Sequence, residues 1–338
     1  MSPKQSALKI KNVMNSDEWE LLLNDLSTSS TYLKWPWGNY KRNSGWDVKR
    51  LNFFDSKSKQ SLACCQIQSK CYFFVNVYLI QGGIHLSKKN DSTRAYDNII
   101  EALCAYIKNT NRLMWLFLIN NQTHQDDTAI TALLKNKFSP ILSETMFTYI
   151  VFKNSIEESL LELSSNWRHN LKRANKNENL EIEWITSYRD RLEALSILSK
   201  MYVYLLQRKN FKSGIDLKSI YDEIAKDKSM IIAQAKLHNE VVAIRVASVC
   251  NDHILDLIAA SNEGAKNCYA NYLLMWRMIL KMNEFKKKFF DTGGIDPANN
   301  SGVYNFKKGL NGKLTINGPL WLLASNAILN WVGRIFFR

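Results

Sequence analysis

Hydrophobic positions along the chain switch between period-two runs and helical spacing, and the same order of runs occurs twice. A short helix, Asp17 to Leu26, comes first. Val48 to Phe54, Leu62 to Ile67 and Tyr72 to Ile80 are then short runs rich in β-branched and aromatic residues with polar turns between them. Such runs predict an antiparallel meander, here ending at Gly82-Gly83. After Ser92 and to about Lys108, Ile99, Ile100, Leu103 and Ile107 recur at helical spacing. Leu113 to Ile119 predicts a buried strand, Asp126 to Lys135 a helix, and Met146 to Phe152 the strand that closes the unit.

The second half repeats this order. Met230 to Leu237, Val241 to Val249 and Ile254 to Ala260 predict another meander, with a tight turn at His238-Asn239. Ala265 to Glu284 has one apolar face and predicts a helix; a Phe289-Phe290 strand, a glycine turn, a short helix near Tyr304 to Lys308 and a final strand around Lys313 to Trp321 follow. Corresponding helices and strands are offset by about 172 and 175 residues, which points to internal duplication. The expectation is an α/β (α+β) chain of two similar lobes, 1–153 and 154–338, each a mixed, largely antiparallel sheet flanked by helices. Residues 154–228 form a helical connector within the second lobe. In it Ile156 to Lys176 is one amphipathic helix, followed by helices from Asp190 to Arg208 and from Asp216, as N-cap, to Lys226.

Composition narrows the class. A net charge of +14 in 338 residues implies an anionic partner without choosing among nucleic acid, membrane surface and phosphorylated small molecules. The six cysteines are scattered without C-x-x-C spacing and read as reduced residues of a cytoplasmic protein. The five histidines form no cluster of zinc-site spacing, so no metal is expected. No apolar h-region opens the chain, so no secretory signal is expected. Leu320 to Arg338 is apolar but interrupted by Ser325, Asn326, Asn330 and Arg334, too broken for a spanning helix. Packing onto the domain is expected of it, with peripheral membrane contact as the alternative. Nowhere do two glycines stand two apart, which excludes a Rossmann fingerprint; no Walker A loop or G-x-S-x-G elbow is present.

Three stretches carry candidate chemistry. Trp35 to Trp46 sets three tryptophans and Tyr40 beside Lys41 and Arg42, suited to stacking a ligand or to lidding the core. Arg168, Lys172 and Lys176 recur every four residues with His169 and Arg173 alongside, an anion site or a solvated face that complements the helix dipole. Phe289-Phe290-Asp291-Thr292-Gly293-Gly294 ends a buried strand in a turn whose glycines let backbone approach a ligand, and Tyr304, Lys307 and Lys308 follow. Asp291 suits orienting or deprotonating an amine, or capping the turn; Lys307 suits countering developing negative charge and Tyr304 donating from its hydroxyl.

These residues carry a resemblance. Trp37-Gly38-Asn39-Tyr40-Lys41 leading to Gly45-Trp46, Trp167 to Ala174, and Asp291-Thr292-Gly293-Gly294 leading to Gly302-Val303-Tyr304-Asn305-Phe306-Lys307 look like the FemAB family, peptidoglycan bridge enzymes built from two GNAT-like acyltransferase lobes. The resemblance spans about residues 30 to 323. It implies two tandem GNAT-like lobes and transfer of an aminoacyl group, usually from aminoacyl-tRNA, to an amine on a nucleotide- or lipid-linked cell-wall precursor, with no tightly bound cofactor. By the same resemblance Lys41 and Arg168 match positions that hold the precursor's diphosphate, and Lys307 matches a lysine near the reacting groups; Trp37, Lys172, Arg173, Gly293 and Gly294 complete the expected substrate site. The helices from Asp190 to Lys226 are too short for the coiled-coil arm of tRNA-binding bridge enzymes, so acyl-CoA in N-acetyl transfer to an amino sugar is the alternative donor, although the glycine pattern predicts a weakened CoA site. A catalytically silent RNA- or membrane-binding protein is the third reading.

Overall fold

A computed structural model describes residues 8–89, 93–108, 113–119, 127–141, 147–209, 217–316 and 318–336. The chain forms two compact units, one of Met1–Met146 with Ile316–Arg338 and one of Phe147–Thr315. In order, the first unit has β1 (Leu8–Asn12), α1 (Ser16–Asn24), a 3-10 turn (Thr31–Leu33), α2 (Trp35–Asn43), β2 (Asp47–Asp55), β3 (Ser61–Tyr72), β4 (Val75–Gln81), β5 (His85–Leu86), α3 (Thr93–Lys108), β6 (Leu113–Ile119), α4 (Asp127–Lys135) and β7 (Ser139–Ile141). The second has β8 (Phe147–Phe152), α5 (Ile156–Glu162), α6 (Ser165–Asn175), β9 (Leu180–Ile185), α7 (Tyr188–Lys209), α8 (Leu217–Lys226), β10 (Met230–Leu237), β11 (Glu240–Val249), β12 (His253–Ser261), α9 (Gly264–Asn267), α10 (Ala270–Glu284), β13 (Phe289–Gly294), α11 (Ser301–Lys308) and β14 (Lys313–Ile316). The chain then returns to the first unit as β15 (Leu320–Ala324) and α12 (Ala327–Phe336).

The two sheets match strand for strand. One runs β1-β2-β3-β4-β6-β15-β7, with β5 on β3, and the other runs β9-β10-β11-β12-β13-β8-β14. Each has an antiparallel meander, then a single parallel step made through a helical crossover, β4 to β6 and β12 to β13. The expected fold of two tandem GNAT-like lobes is the one observed. In the first unit α3 and α4 bury Ile99, Ile100, Leu103 and Leu133 against Leu116, Leu118 and Leu323. In the second, α6 and α10 close around Trp167, Leu171, Leu274 and Phe290.

Several elements differ from the pattern-based expectation, each for a local reason. The strand at 147–152 does not close the first lobe; β8 pairs with β13, and the place beside β6 is taken by β15. Both segments are short and apolar, so periodicity could not assign either to a sheet. The unit boundaries therefore differ from the expected 1–153 and 154–338. The helix expected over Ile156 to Lys176 is two, because Ser155 caps α5 in a capping box with Glu158 and Ser164 caps α6 through the Trp167 N–H. The helix from Ala265 breaks at Tyr269, which takes a left-handed conformation at the N-cap of α10. Two alternating strands, β1 and β9, lie in segments read as irregular or helical, and the Trp35 to Asn43 aromatic segment is a helix opened by Pro36. The meander's second strand runs on to Tyr72, so its hairpin turns on Phe73-Phe74. The expected N-cap Asp216, and the starts at Asp126 and Met146, lie outside the described residues.

Leu322 is fully buried at the centre of β15, between Phe117 of β6 and Ser139 of β7. Leu322→Ala should cost about 2–5 kcal/mol in denaturant unfolding, the range for a buried leucine whose site cannot collapse.

Candidate functional site

The site follows from a difference between the two parallel strand pairs. In the first unit β4 and β6 stay paired over seven positions, from Val75 opposite Leu113 to Gln81 opposite Ile119. In the second, β12 and β13 pair only where His253, Ile254 and Leu255 meet Phe289, Phe290 and Asp291. Beyond that point β12 is bulged, since Ala247 faces Asp256 while Val246 faces Ile258, leaving Leu257 extra. β13 has its own irregularity between Asp291 and Gly294, where Gly293 adopts φ +75°. A pocket of about 950 Å³ opens between the parted strands, with Ile258 and Ala260 on one side and Gly293 and Gly294 on the other.

Charge is concentrated here. Arg245 of β11 and Asp256 of β12 form an ion pair whose side chains are 6% and 8% exposed. Beside them Lys307 of α11 donates from Nζ to the carbonyls of Gly293 (3.2 Å) and Gly294 (2.8 Å). Burial pushes the Lys307 pKa below the ordinary lysine value; Asp256 and Asp291 oppose that shift and Arg245 adds to it. Arg245 Nε and Asp256 Oδ1 are buried without a hydrogen-bond partner among the described residues, so the cluster retains both a donor and an acceptor for a ligand.

Packing fixes where Lys307 sits. The Trp167 indole N–H donates to the Phe306 carbonyl at 3.0 Å, and the Ser164 N–H to the Gly309 carbonyl at 2.9 Å, tying α11 to the start of α6. Gly309 has no room for a side chain, because a Cβ would lie 2.7 Å from Trp167 Cδ1. With α11 so held, Val303, Phe306 and Lys307 line the pocket. Tyr304, three residues from Lys307, packs against Tyr149 with ring centroids 6.4 Å apart.

Of the sequence-predicted residues, Gly293, Gly294 and Lys307 come together at the pocket. Asp291 and Tyr304 are not among its lining residues. Asp291 Oδ1 accepts from the Thr148 hydroxyl (2.6 Å) and the Gly293 N–H (2.8 Å), capping the glycine turn. Burial raises its pKa, with these bonds, His253 and Lys307 pulling the other way. Arg168 donates to the carbonyls of Leu161 and Leu163 and clasps the joint between α5 and α6. Lys172 is exposed on α6. Arg173 donates to the Tyr269 hydroxyl, and Tyr269 lines the pocket, so Arg173 stands behind its wall. Trp37 and Lys41 belong to α2 of the first unit, where Trp37 packs edge-on with Tyr32 and Tyr40. Lys41 Nζ lies 5.5 Å and 5.3 Å from the Trp37 and Tyr40 ring centroids, and burial lowers its pKa.

Arg245, Asp256 and Asn170, which lines the pocket from α6, were not among the residues that the sequence singled out for the site. The first two carried a signal, since each is a lone charge inside an apolar strand, and opposite lone charges on neighbouring strands of a meander predict a buried pair. Among the described residues no group of three or more His, Cys, Asp or Glu is placed to hold a metal ion.

The fold is that of two tandem GNAT-like lobes, as in solved structures of similar topology. A crystal structure of FemX superposes with a TM-score of 0.75 at 15% identity, covering 96% of this chain and 100% of that one. L-PGS from Bacillus licheniformis gives 0.56 at 16% identity, with 95% of each chain covered. A tandem GNAT protein from the clavulanic acid biosynthesis pathway gives 0.52 at 9%, covering 95% and 99%. No curated protein matches the sequence. The FemAB family model matches residues 206–316, so the resemblance drawn from the motifs holds over the part of the second lobe that carries Arg245, Asp256, Gly293 and Lys307.

Two outcomes are expected. Gly293→Ala combines φ +75° with a Cβ only 2.9 Å from the Asp256 carbonyl oxygen, so it should destabilise the protein by about 1–3 kcal/mol in thermal or denaturant unfolding. Lys307→Met should show a pH-dependent difference from wild type. A lysine whose folded pKa is lowered costs stability while it is protonated in both states, and that cost disappears as pH rises from the lowered value to 10.5. Wild type should therefore gain on Lys307→Met as pH climbs from neutrality toward 10.5 in parallel unfolding curves.

Proposed function

We propose that the protein is a FemAB-like acyltransferase that moves an aminoacyl group to an amine of a nucleotide- or lipid-linked cell-envelope glycan or peptidoglycan precursor. The observation that carries this reading is the parting of β12 from β13 over a cleft holding Lys307 and the Arg245–Asp256 pair. The cleft receives the activated acyl end of the donor. The acceptor amine attacks the carbonyl carbon, a C–N bond forms, the C–O bond to the donor breaks, and the amine proton leaves through the departing oxygen or water. Lys307, shielded from water, opposes the negative charge that develops on the carbonyl oxygen. Asp291 acts through the turn, holding Gly293 and Gly294 where Lys307 binds them. Lys41 and Arg168 are proposed for the acceptor's diphosphate from the family resemblance, with Trp37, Lys172 and Arg173 near them in sequence.

An aminoacyl-tRNA donor is preferred over acyl-CoA for a specific reason. The segment leading into α10 contains one glycine, Gly264, and places Tyr269 in the left-handed N-cap position, with its hydroxyl bound by Arg173. A backbone cradle for a diphosphate would favour glycine in that position. Such a donor also places the reaction in the cytoplasm.

Thermal stabilisation by charged tRNA, by acetyl-CoA and by UDP-linked muramyl precursors separates the donors, because a ligand bound by the native state raises its apparent stability. The expected result is a shift with charged tRNA and with a muramyl precursor. A shift with acetyl-CoA, followed by N-acetylation of an amino sugar, would instead establish the GNAT alternative. In single-turnover transfer assays Lys307→Ala should lower the rate by on the order of 10²–10³, as removal of an oxyanion-stabilising donor does. Arg168→Ala and Lys41→Ala should raise KM for the acceptor more than they lower kcat.

A further inference from the structure

The β3–β4 hairpin ends in a two-residue turn made of Phe73 and Phe74, which are 98% and 83% exposed. Two-residue hairpin turns favour glycine and asparagine because they call for positive φ, and Phe73 has φ 54°. Phenylalanine here therefore carries both backbone strain and the cost of apolar exposure, and nothing in the first unit's core uses either ring. Strain and exposure retained together point to a task outside the fold.

The neighbouring strand ends continue the feature. Val75, just after the turn, pairs with Leu113, which is 43% exposed at the start of β6. Met114 next to it exchanges hydrogen bonds with Ser325, which leads into α12. α12 packs on β6 and β15, with the Trp115 indole donating to the Leu329 carbonyl at 2.7 Å and Gly333 against Leu322. Its outer face presents Ile328, Trp331 and Ile335, which are 74%, 65% and 52% exposed. β4 and β6 begin, and β15 ends, at one margin of the sheet, so the hairpin tip, Leu113 and the start of α12 lie along it.

We infer that this margin of the first unit docks on an anionic lipid bilayer, with Phe73 and Phe74 inserting between head groups and α12 lying along the interface. Convexity favours a bilayer, because a protruding hairpin tip needs a deep pocket on a protein partner but only displaced head groups on a membrane. Charge favours an anionic one. Lys70 stands at the hairpin base, 5.7 Å from the Tyr72 ring centroid, Arg334 lies in the last turn of α12, and the chain carries a net charge of +14. Asp47, opposite Ser69, is the acid on the strand beside the hairpin base. No helix among the described residues is long and apolar enough to cross a membrane, so the contact is peripheral. This inference stands whether or not the acyl-transfer reading does.

Cosedimentation of the full chain with phosphatidylcholine vesicles, with and without phosphatidylglycerol, tests it. Binding to the anionic vesicles, weakened by salt and reduced roughly tenfold or more by F73S/F74S, is the expected result. W331S should weaken binding further in combination. F73W should keep binding and gain indole emission that lipids brominated in the acyl chain quench. The tip residues are solvent-exposed, so F73S/F74S should unfold at the wild-type temperature or above, separating loss of binding from loss of fold. Absence of vesicle binding, or binding unchanged by F73S/F74S, would overturn the inference. So would a concentration-dependent dimer abolished by F73S/F74S, which would assign the tip to a second copy of the chain.

Discussion

One ammonium group holds the second lobe open. The carbonyls of Gly293 and Gly294 lie just past the last residue at which β13 pairs with β12, and Lys307 Nζ binds both. A strand end with unsatisfied carbonyls would otherwise seek a neighbouring strand or water. Lys307 supplies that partner from α11, and α11 is anchored by the indole of Trp167, so the opening is set by packing remote from the pocket. The arrangement is costly in itself, since a buried lysine loses hydration that two carbonyls only partly replace. The carboxylates of Asp256 and Asp291 offset part of that cost, while Arg245 adds to it.

The duplication provides an internal comparison. Both lobes have the same strand order and the same single parallel step, yet β4 and β6 run side by side to their ends while β12 and β13 separate after three pairs. The parallel step is thus compatible with a closed sheet, and the cleft is an addition made by the β12 bulge, the positive φ of Gly293 and Lys307. That contrast supports placing the proposed chemistry in the second lobe. The first lobe instead carries an exposed aromatic hairpin tip and a cation, Lys41, beside the buried rings of Trp37 and Tyr40.

Much of this was legible in the sequence. The two meanders, the crossover helices and the glycine turn follow from period, length and turn chemistry, because each is decided within ten or twenty residues. What escaped was decided by distant partners. β8 and β15 are equally apolar, and which sheet takes each depends on edges built far away in sequence. Phe73-Phe74 defied expectation because aromatic residues are poor turn formers, and Tyr269 because a left-handed tyrosine has no local signature. At the site, Gly293 and Lys307 were found because a glycine pair and a basic helix end are visible as motifs. Arg245 and Asp256 were not, although a charge in the middle of VVAIRVASV has few explanations other than a buried partner. Asp291 shows the opposite lesson, since its position after an apolar strand suited either base or cap, and the bonds to Thr148 and Gly293 are those of a cap.

Long sequence separation also bears on how the site is specified. The family model matches residues 206–316, a span that begins within α7 and ends where the chain leaves the second unit. That span contains Arg245, Asp256, Gly293 and Lys307 but lacks β8, whose Thr148 bonds Asp291 and the Gly293 carbonyl, and lacks Trp167, which seats α11. The chemistry-bearing segment is therefore not a folding unit. Its geometry is completed by residues about a hundred and forty positions earlier, whose side chains make the turn rigid without touching the pocket. Likewise the first lobe is incomplete until β15 arrives from the end of the chain. Contacts of such long sequence separation are slow to form, since loop closure must precede the reward of pairing. The second lobe is built from one continuous segment, whereas the first is closed by a strand that the end of the chain delivers, so its sheet cannot be finished before nearly the whole chain is in place.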